Sequence, residues 1–196
     1  MKRLNFIIGL LLLSNFIFAQ PDRWQQGIDY KMDIDFNVKK HQFKGKQIAV
    51  YTNNSPDDLN QVFYHLYFNA FQPGSMMDVR SRTISDASSK IGSRIEVLKD
   101  NEIGYHKIKS LRQNGKKVKY EVVGNILEVI LNEPIQANSS ATFEMEFESQ
   151  VPVQIRRSGR DNKEGIDYSM AQWYPKMCEY DYQGWHANPY IAREFH

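Results

Sequence analysis

Ile28-Asp-Tyr-Lys-Met-Asp-Ile-Asp-Phe-Asn-Val38 is the stretch that decides the fold. Its odd members, Ile28, Tyr30, Met32, Ile34, Phe36 and Val38, are apolar, and every residue between them is Asp, Lys or Asn. Successive side chains of a strand point to opposite faces, so a period of two predicts a strand with one face buried and one wet. Residues 39–42 connect it to a second run over 43–52, and that gap is short enough for a hairpin. In the second run Ile48, Val50 and Thr52 share one side. Residues 53–58, which contain Pro56, break the pattern.

The stretch 62–71 is the most aromatic, with Phe63, Tyr64, Tyr67, Phe68 and Phe71. Rings at that density predict a strand covered on both faces, ended by Pro73-Gly74. Residues 75–100 turn polar and lose their period, which predicts a long loop holding at most one brief element, with Ile91, Ile95 and Leu98 seating a short buried turn. Strand patterns resume over 105–111, 117–123, 126–131 and 142–148. Asn114-Gly115 and Gly124-Asn125 are hairpin signals. In the last run Phe143, Met145 and Phe147 point inward, while Thr142, Glu144, Glu146 and Glu148 point outward. Helical periodicity, internal repeats and low-complexity linkers do not occur. The fold class is therefore all-β, an antiparallel β-sandwich or a large curved sheet.

Lys2 and Arg3 precede an apolar run over residues 6–13, and a second apolar patch closes on Ala19. That layout predicts a secretory signal peptide over residues 1–19, cut before Gln20, and an exported product in the periplasm, at the cell surface or outside. The run is too short for a comfortable membrane span, and no second one follows, so no span is expected after leader removal. The leader holds two of the 25 basic residues and none of the 23 acidic ones, which leaves 23 of each sign. A neutral chain argues against a nucleic-acid partner. Residues 20–196 suit one domain with a sizeable core. The single cysteine, Cys178, excludes an internal disulfide framework and reads as a small packed residue.

Chemistry-bearing constellations are sparse. His41, His65, His106, His186 and His196 form no His-Glu-x-x-His and no i, i+4 pair. The one near-cluster is His186, Glu194 and His196, and His65 inside the aromatic stretch reads as a hydrogen-bonded structural imidazole. No Gly-x-Ser-x-Gly elbow or phosphate loop is present. Glu179 and Asp181 are a pair of acids that read as solvated. Arg156, Arg157 and Arg160 lie close enough to clamp a carboxylate or phosphate, but Asp161 and Glu164 follow at once and favour local ion pairing. The rings of residues 173–190 fit a carbohydrate or peptide groove as well as they fit the core of a last sheet. No catalytic residue is assigned.

Taken in order, several segments resemble the amino-terminal domain of the aminopeptidase N family, the zinc-dependent gluzincin metallopeptidases. They are residues 30–38, Phe43-Lys-Gly45 with the strand after it, and Phe63-Tyr-His-Leu-Tyr-Phe-Asn-Ala-Phe71. Gln172-Trp-Tyr-Pro175, Tyr180-Asp181, Gly184-Trp185 and Pro189-Tyr190 are similar to exported bacterial members. The resemblance runs from about Trp24 to His196. It implies a saddle-shaped β-sandwich set against a thermolysin-like catalytic domain of the same polypeptide, acting on peptide substrates. It also implies that the zinc ligands, the exopeptidase loop and the sandwich's last strands lie beyond His196, so zinc belongs to the full-length parent. One site residue is carried over: Gln172 matches the position that anchors the substrate's free amino group. From the residues alone, a structural hydrogen bond in the sheet accounts for Gln172 equally well. The alternative to a peptidase domain is a non-enzymatic exported module that binds peptide or glycan.

Overall fold

The structure is a computed structural model that describes residues 24–84 and 91–191. The leader, Glu194 and His196 lie outside the described residues. The alternating opening stretch forms β1 (Gly27–Asn37), and a tight turn through His41 leads to its antiparallel partner β2 (Gln42–Asn53). Then come β3 (Leu59–His65), β4 (Tyr105–Gln113), β5 (Lys116–Lys117), β6 (Lys119–Val123), β7 (Ile126–Ile135) and β8 (Ser139–Gln150). Four two-residue strands follow at Gly159–Arg160 (β9), Tyr168–Ser169 (β10), Lys176–Met177 (β11) and Tyr180–Asp181 (β12), with β13 at Gly184–Trp185. The two larger sheets have the orders β1-β2-β8-β4-β5 and β11-β3-β7-β6, beside the two-stranded ladders β10-β9 and β12-β13. Every strand pair in both is antiparallel.

The two sheets face each other across one core. Phe43, Ala49, Tyr51, Phe143, Met145 and Phe147 from the first sheet meet Val62, Tyr64, Leu127 and Val129 from the second. This is the all-β sandwich that the alternation predicts. Side-chain sign on the outer face of the first sheet follows the register. Asp35 on β1, Lys44 on β2, Glu148 on β8 and Lys107 on β4 stand side by side, and Asp33, Lys46 and Glu146 form the next row. Each neighbour in a row is opposite in charge, an arrangement that supports pairing and solubility together.

Two details differ from the sequence patterns, and two more fill in what those patterns left open. The aromatic strand ends at His65, and Tyr67–Ala70 folds into a 3₁₀ turn instead. Asn69 causes this: its side chain accepts from the His106 N–H at 2.7 Å and donates to the Gly124 carbonyl at 3.2 Å. Burial on both sides is as expected, since Tyr64, Leu66, Tyr67, Phe68 and Phe71 are all inside. The strand expected over 117–123 is broken at Val118, where the chain crosses from the first sheet to the second. On β2 the side bearing Ile48, Val50 and Thr52 is the outer one, and Gln47 and Asn53 are buried among apolar neighbours. The brief element of the long loop is a helix, α1 (Met76–Thr83), with Ser75 as its cap and Asp78 holding the Gly74 N–H and Arg82. Ile91 and Ile95 are buried beside it, with Leu98 against the same cluster.

Candidate functional site

After β8 the chain returns across the open inner face of β1. Tyr168 stands edge-on to Phe36 at 5.2 Å, Trp173 to Phe43 at 5.7 Å, and Tyr174 to Tyr30 at 5.4 Å. Tyr180 stacks on Trp24 at 5.5 Å and lies tilted against Trp185 at 5.1 Å. These rings are core cover rather than groove lining, which decides the alternative that composition leaves open. Tyr182 alone among them projects, at 72% exposure.

Gln172 sits at the turn between β10 and β11. Its φ of 54° is left-handed, a region that non-glycine residues avoid and that Asn, Asp and His enter more readily than others. The remaining non-glycine residues with positive φ are His41, Asn114, Asn138 and Asp161, so Gln172 is the exception by residue type. The turn is pinned from both sides. The Ser158 hydroxyl donates to the Ala171 carbonyl, and the Ser169 hydroxyl to the Arg157 carbonyl at 2.6 Å. Gln47 Nε2 donates to the Pro175 carbonyl at 3.0 Å, and the Met177 N–H to the Tyr30 hydroxyl at 2.9 Å. The Gln172 amide itself, half-buried, makes no hydrogen bond to any described residue.

Beside the return segment lies a cavity of about 390 Å³, lined in part by Tyr51, His65, Tyr67, Lys176, Cys178 and Glu179. His65 is a buried imidazole that stacks on Tyr67 at 4.8 Å, with Nδ1 bonding no described residue. Burial, then Lys176, lowers its pKa to about 4. Burial raises the Cys178 thiol to about 12, so it is a packed protonated group and no nucleophile. Glu179 and Asp181 do not form an acid–base pair. Glu179 is exposed, while the Gln183 N–H and then His186 hold the Asp181 carboxyl below its usual range. His186 Nε2 is 2.9 Å from Asp181 Oδ1, an ion-pair distance with the ring out of line for a hydrogen bond.

The arginines divide as the local acids suggest. Arg160 is buried, bonds Asp161, and donates to the Asn101 carbonyl at 2.7 Å, whereas Arg156 lies over the Tyr190 ring at 5.9 Å. Among the described residues no group of three or more His, Cys, Asp or Glu side chains is placed to hold a metal ion. His186 stands apart from such a set, and its suggested companions lie outside the described residues. A feature that sequence reasoning missed is His106. It is fully enclosed, bonds the Ser149 hydroxyl at 2.6 Å and stacks on Phe68 at 4.8 Å. Its place on the inner side of β4, two residues before Ile108, was the available signal.

No family model matches the chain, and no curated protein matches it. Among solved structures it is similar to an M1 zinc metallopeptidase from Deinococcus radiodurans, with TM-score 0.47 and 13% identity over 82% of this chain and 31% of that one. A variant of an M1 zinc metallopeptidase from the same organism gives 0.46 and 12% over 80% and 28%. A two-domain M1 zinc metallopeptidase variant bound to L-arginine gives 0.48 and 12% over 82% and 31%. This chain thus spans less than a third of the length of each of these proteins.

Proposed function

We propose that this chain is the amino-terminal, substrate-channel domain of an exported zinc aminopeptidase and has no activity alone. The observation that carries the proposal is Gln172. A residue type ill-suited to φ of 54° occupies a turn where glycine would be cheaper, and its amide bonds none of the described residues. A rigid turn that presents an unengaged amide oxygen suits capture of an ammonium group, the role implied by the resemblance of Gln172-Trp-Tyr-Pro175. The described residues do not fit a zinc ion, so in this proposal the metal and the catalytic water belong to the catalytic domain of the same polypeptide. Export rests on the leader-like residues 1–19. The module that binds peptide or glycan through its rings loses support, because Trp173, Tyr174 and Trp185 pack against the core.

The test uses Gln172→Gly and Gln172→Ala in the full-length protein. A hydrogen bond to a charged group is worth about 1.5–3 kcal/mol, so kcat/KM for peptides with a free amino terminus should fall roughly ten- to hundredfold. The glycine variant should at the same time be more stable by about 1 kcal/mol, because the left-handed strain is relieved. Unchanged kinetics with lower stability would make Gln172 a structural residue and end the proposed role.

A further inference from the structure

β6 ends its sheet, and each of its five residues is exposed. Tyr120 and Val122 face inward, opposite the buried Val129 and Leu127, yet they are 37% and 44% exposed. The facing sheet stops at the two-residue β5 and leaves their flanks open, although the Tyr120 hydroxyl donates to the Ile108 carbonyl of β4 at 3.4 Å. An edge of this kind offers unpaired backbone groups to another strand. The edge strand of the five-stranded sheet, β1, carries three aspartates against one lysine. Pairing it with itself about Met32 sets Asp29 against Asp35, and pairing about Asp33 sets that residue against itself. β6 carries one cation and one anion, and Glu121 stands directly opposite Glu128 of β7, so two carboxylates meet with the open edge beside them. The rows of the other sheet alternate in sign across four strands, whereas this row ends on like charges.

We propose that β6 pairs with β6 of a second copy of this chain, antiparallel about a two-fold axis through Tyr120. In that register each Lys119 stands opposite Glu121 of the second copy, beside the Glu121–Glu128 pair. The two Tyr120 rings meet each other. Moving the axis to Glu121 sets that residue against itself, and moving it to Lys119 does the same for the lysines, so charge favours the Tyr120 axis over both of its neighbours. The interface is isologous and closes as a dimer. Three residues of pairing, Lys119 to Glu121, bury far less than the roughly 1,200 Å² of a stable interface, so association is weak and reversible.

Sedimentation velocity of the purified chain, from about 10 µM to about 1 mM, reads it out, because a contact this small is populated only toward the upper end. A dimer should grow in with concentration. Lys119→Glu should weaken it about tenfold by setting carboxylate against carboxylate at both symmetric positions. Adding Glu121→Lys to the same chain should restore it, since the swapped pair again opposes unlike charges. A monomer throughout the range overturns the proposal. So does a dimer indifferent to Lys119→Glu, or one that the double swap fails to restore.

Discussion

Gly45 lies mid-strand in β2 with its α-carbon toward the sandwich interior, between Ile34 of β1 and Phe147 of β8. A methyl group there would come to 2.3 Å from Cζ and 2.5 Å from Cε1 of Phe147. Ordinary contact begins at 3.4 Å, so the ring would have to retreat by about an ångström. It has nowhere to go. Phe147 is 2% exposed and stands edge-on to Phe43 at 6.2 Å and to His106 at 6.3 Å. Overpacking of this kind costs about 1–3 kcal/mol, of which Ala's lower unfolded-state entropy returns about 0.5. Gly45→Ala should therefore destabilise by about 2 kcal/mol and lower Tm by about 4–8 °C in a chain of this size. Urea unfolding followed by tryptophan fluorescence measures it. Phe147→Ala alone should cost about 3–5 kcal/mol by leaving a void. Adding Gly45→Ala to that variant should cost almost nothing, because the methyl group then enters empty space. Additive losses in the double variant, or a Gly45→Ala loss under about 0.5 kcal/mol, would refute the steric account.

Asn53 is fully buried. It donates to the carbonyls of Asp57, Ile135 and Gln136 and accepts from Gln26, Ser55 N–H and the Ser55 hydroxyl. Asn53→Ala strands these groups and should cost about 2–4 kcal/mol in urea unfolding, with most of the loss retained in Asn53→Asp, which cannot donate. Stability should also depend on pH through two imidazoles. Burial lowers His106 to about 3 and His65 to about 4, from 6.5 for a free imidazole. The unfolded chain therefore takes up these protons first. Their contribution is complete above about pH 6.5 and is lost as pH falls toward the folded values, by about 2 kcal/mol each at about pH 5. A urea midpoint unchanged between about pH 7.5 and pH 5 would contradict this, and His106→Gln should remove about half of the fall.

The alternating stretches were legible because a sheet with one wet face imposes its period directly on composition. β1 and β8 show it, the latter down to which residues point inward. β2 was harder. Its β-branched residues Ile48 and Val50 face out, and Gln47 and Asn53 face in, because each of the buried amides has specific partners to satisfy. No periodicity rule can see those partners, which lie 128 and 82 residues away. The aromatic stretch failed for a related reason. Ring density reports burial and not backbone direction, and the turn after His65 is dictated by Asn69 reaching β4 and the turn between β6 and β7. At Gln172, the residue type and its neighbours were visible, but a positive φ and an unengaged amide are properties of the folded chain alone.

The buried polar residues and the candidate residue belong to one argument. Burying Gln47 and the Tyr30 hydroxyl costs free energy unless each is hydrogen-bonded. Their partners are Pro175 O and Met177 N, both on the return segment just after Gln172. Ser158 and Ser169 tie down the segment just before it. The position of the turn is thus fixed by bonds from the sandwich interior and from the neighbouring loop, none of which uses the Gln172 side chain. Truncating Gln172 should therefore leave the turn where it is, whereas Gln47→Leu should free Pro175 and loosen the turn with its amide still present. In the full-length protein both changes should reduce kcat/KM. Added ammonium compounds that mimic a substrate amine should protect the turn's amides from hydrogen exchange in the parent and in Gln47→Leu, but not in Gln172→Ala. Protection that survives in Gln172→Ala would detach the amine contact from this residue and assign it elsewhere in the turn.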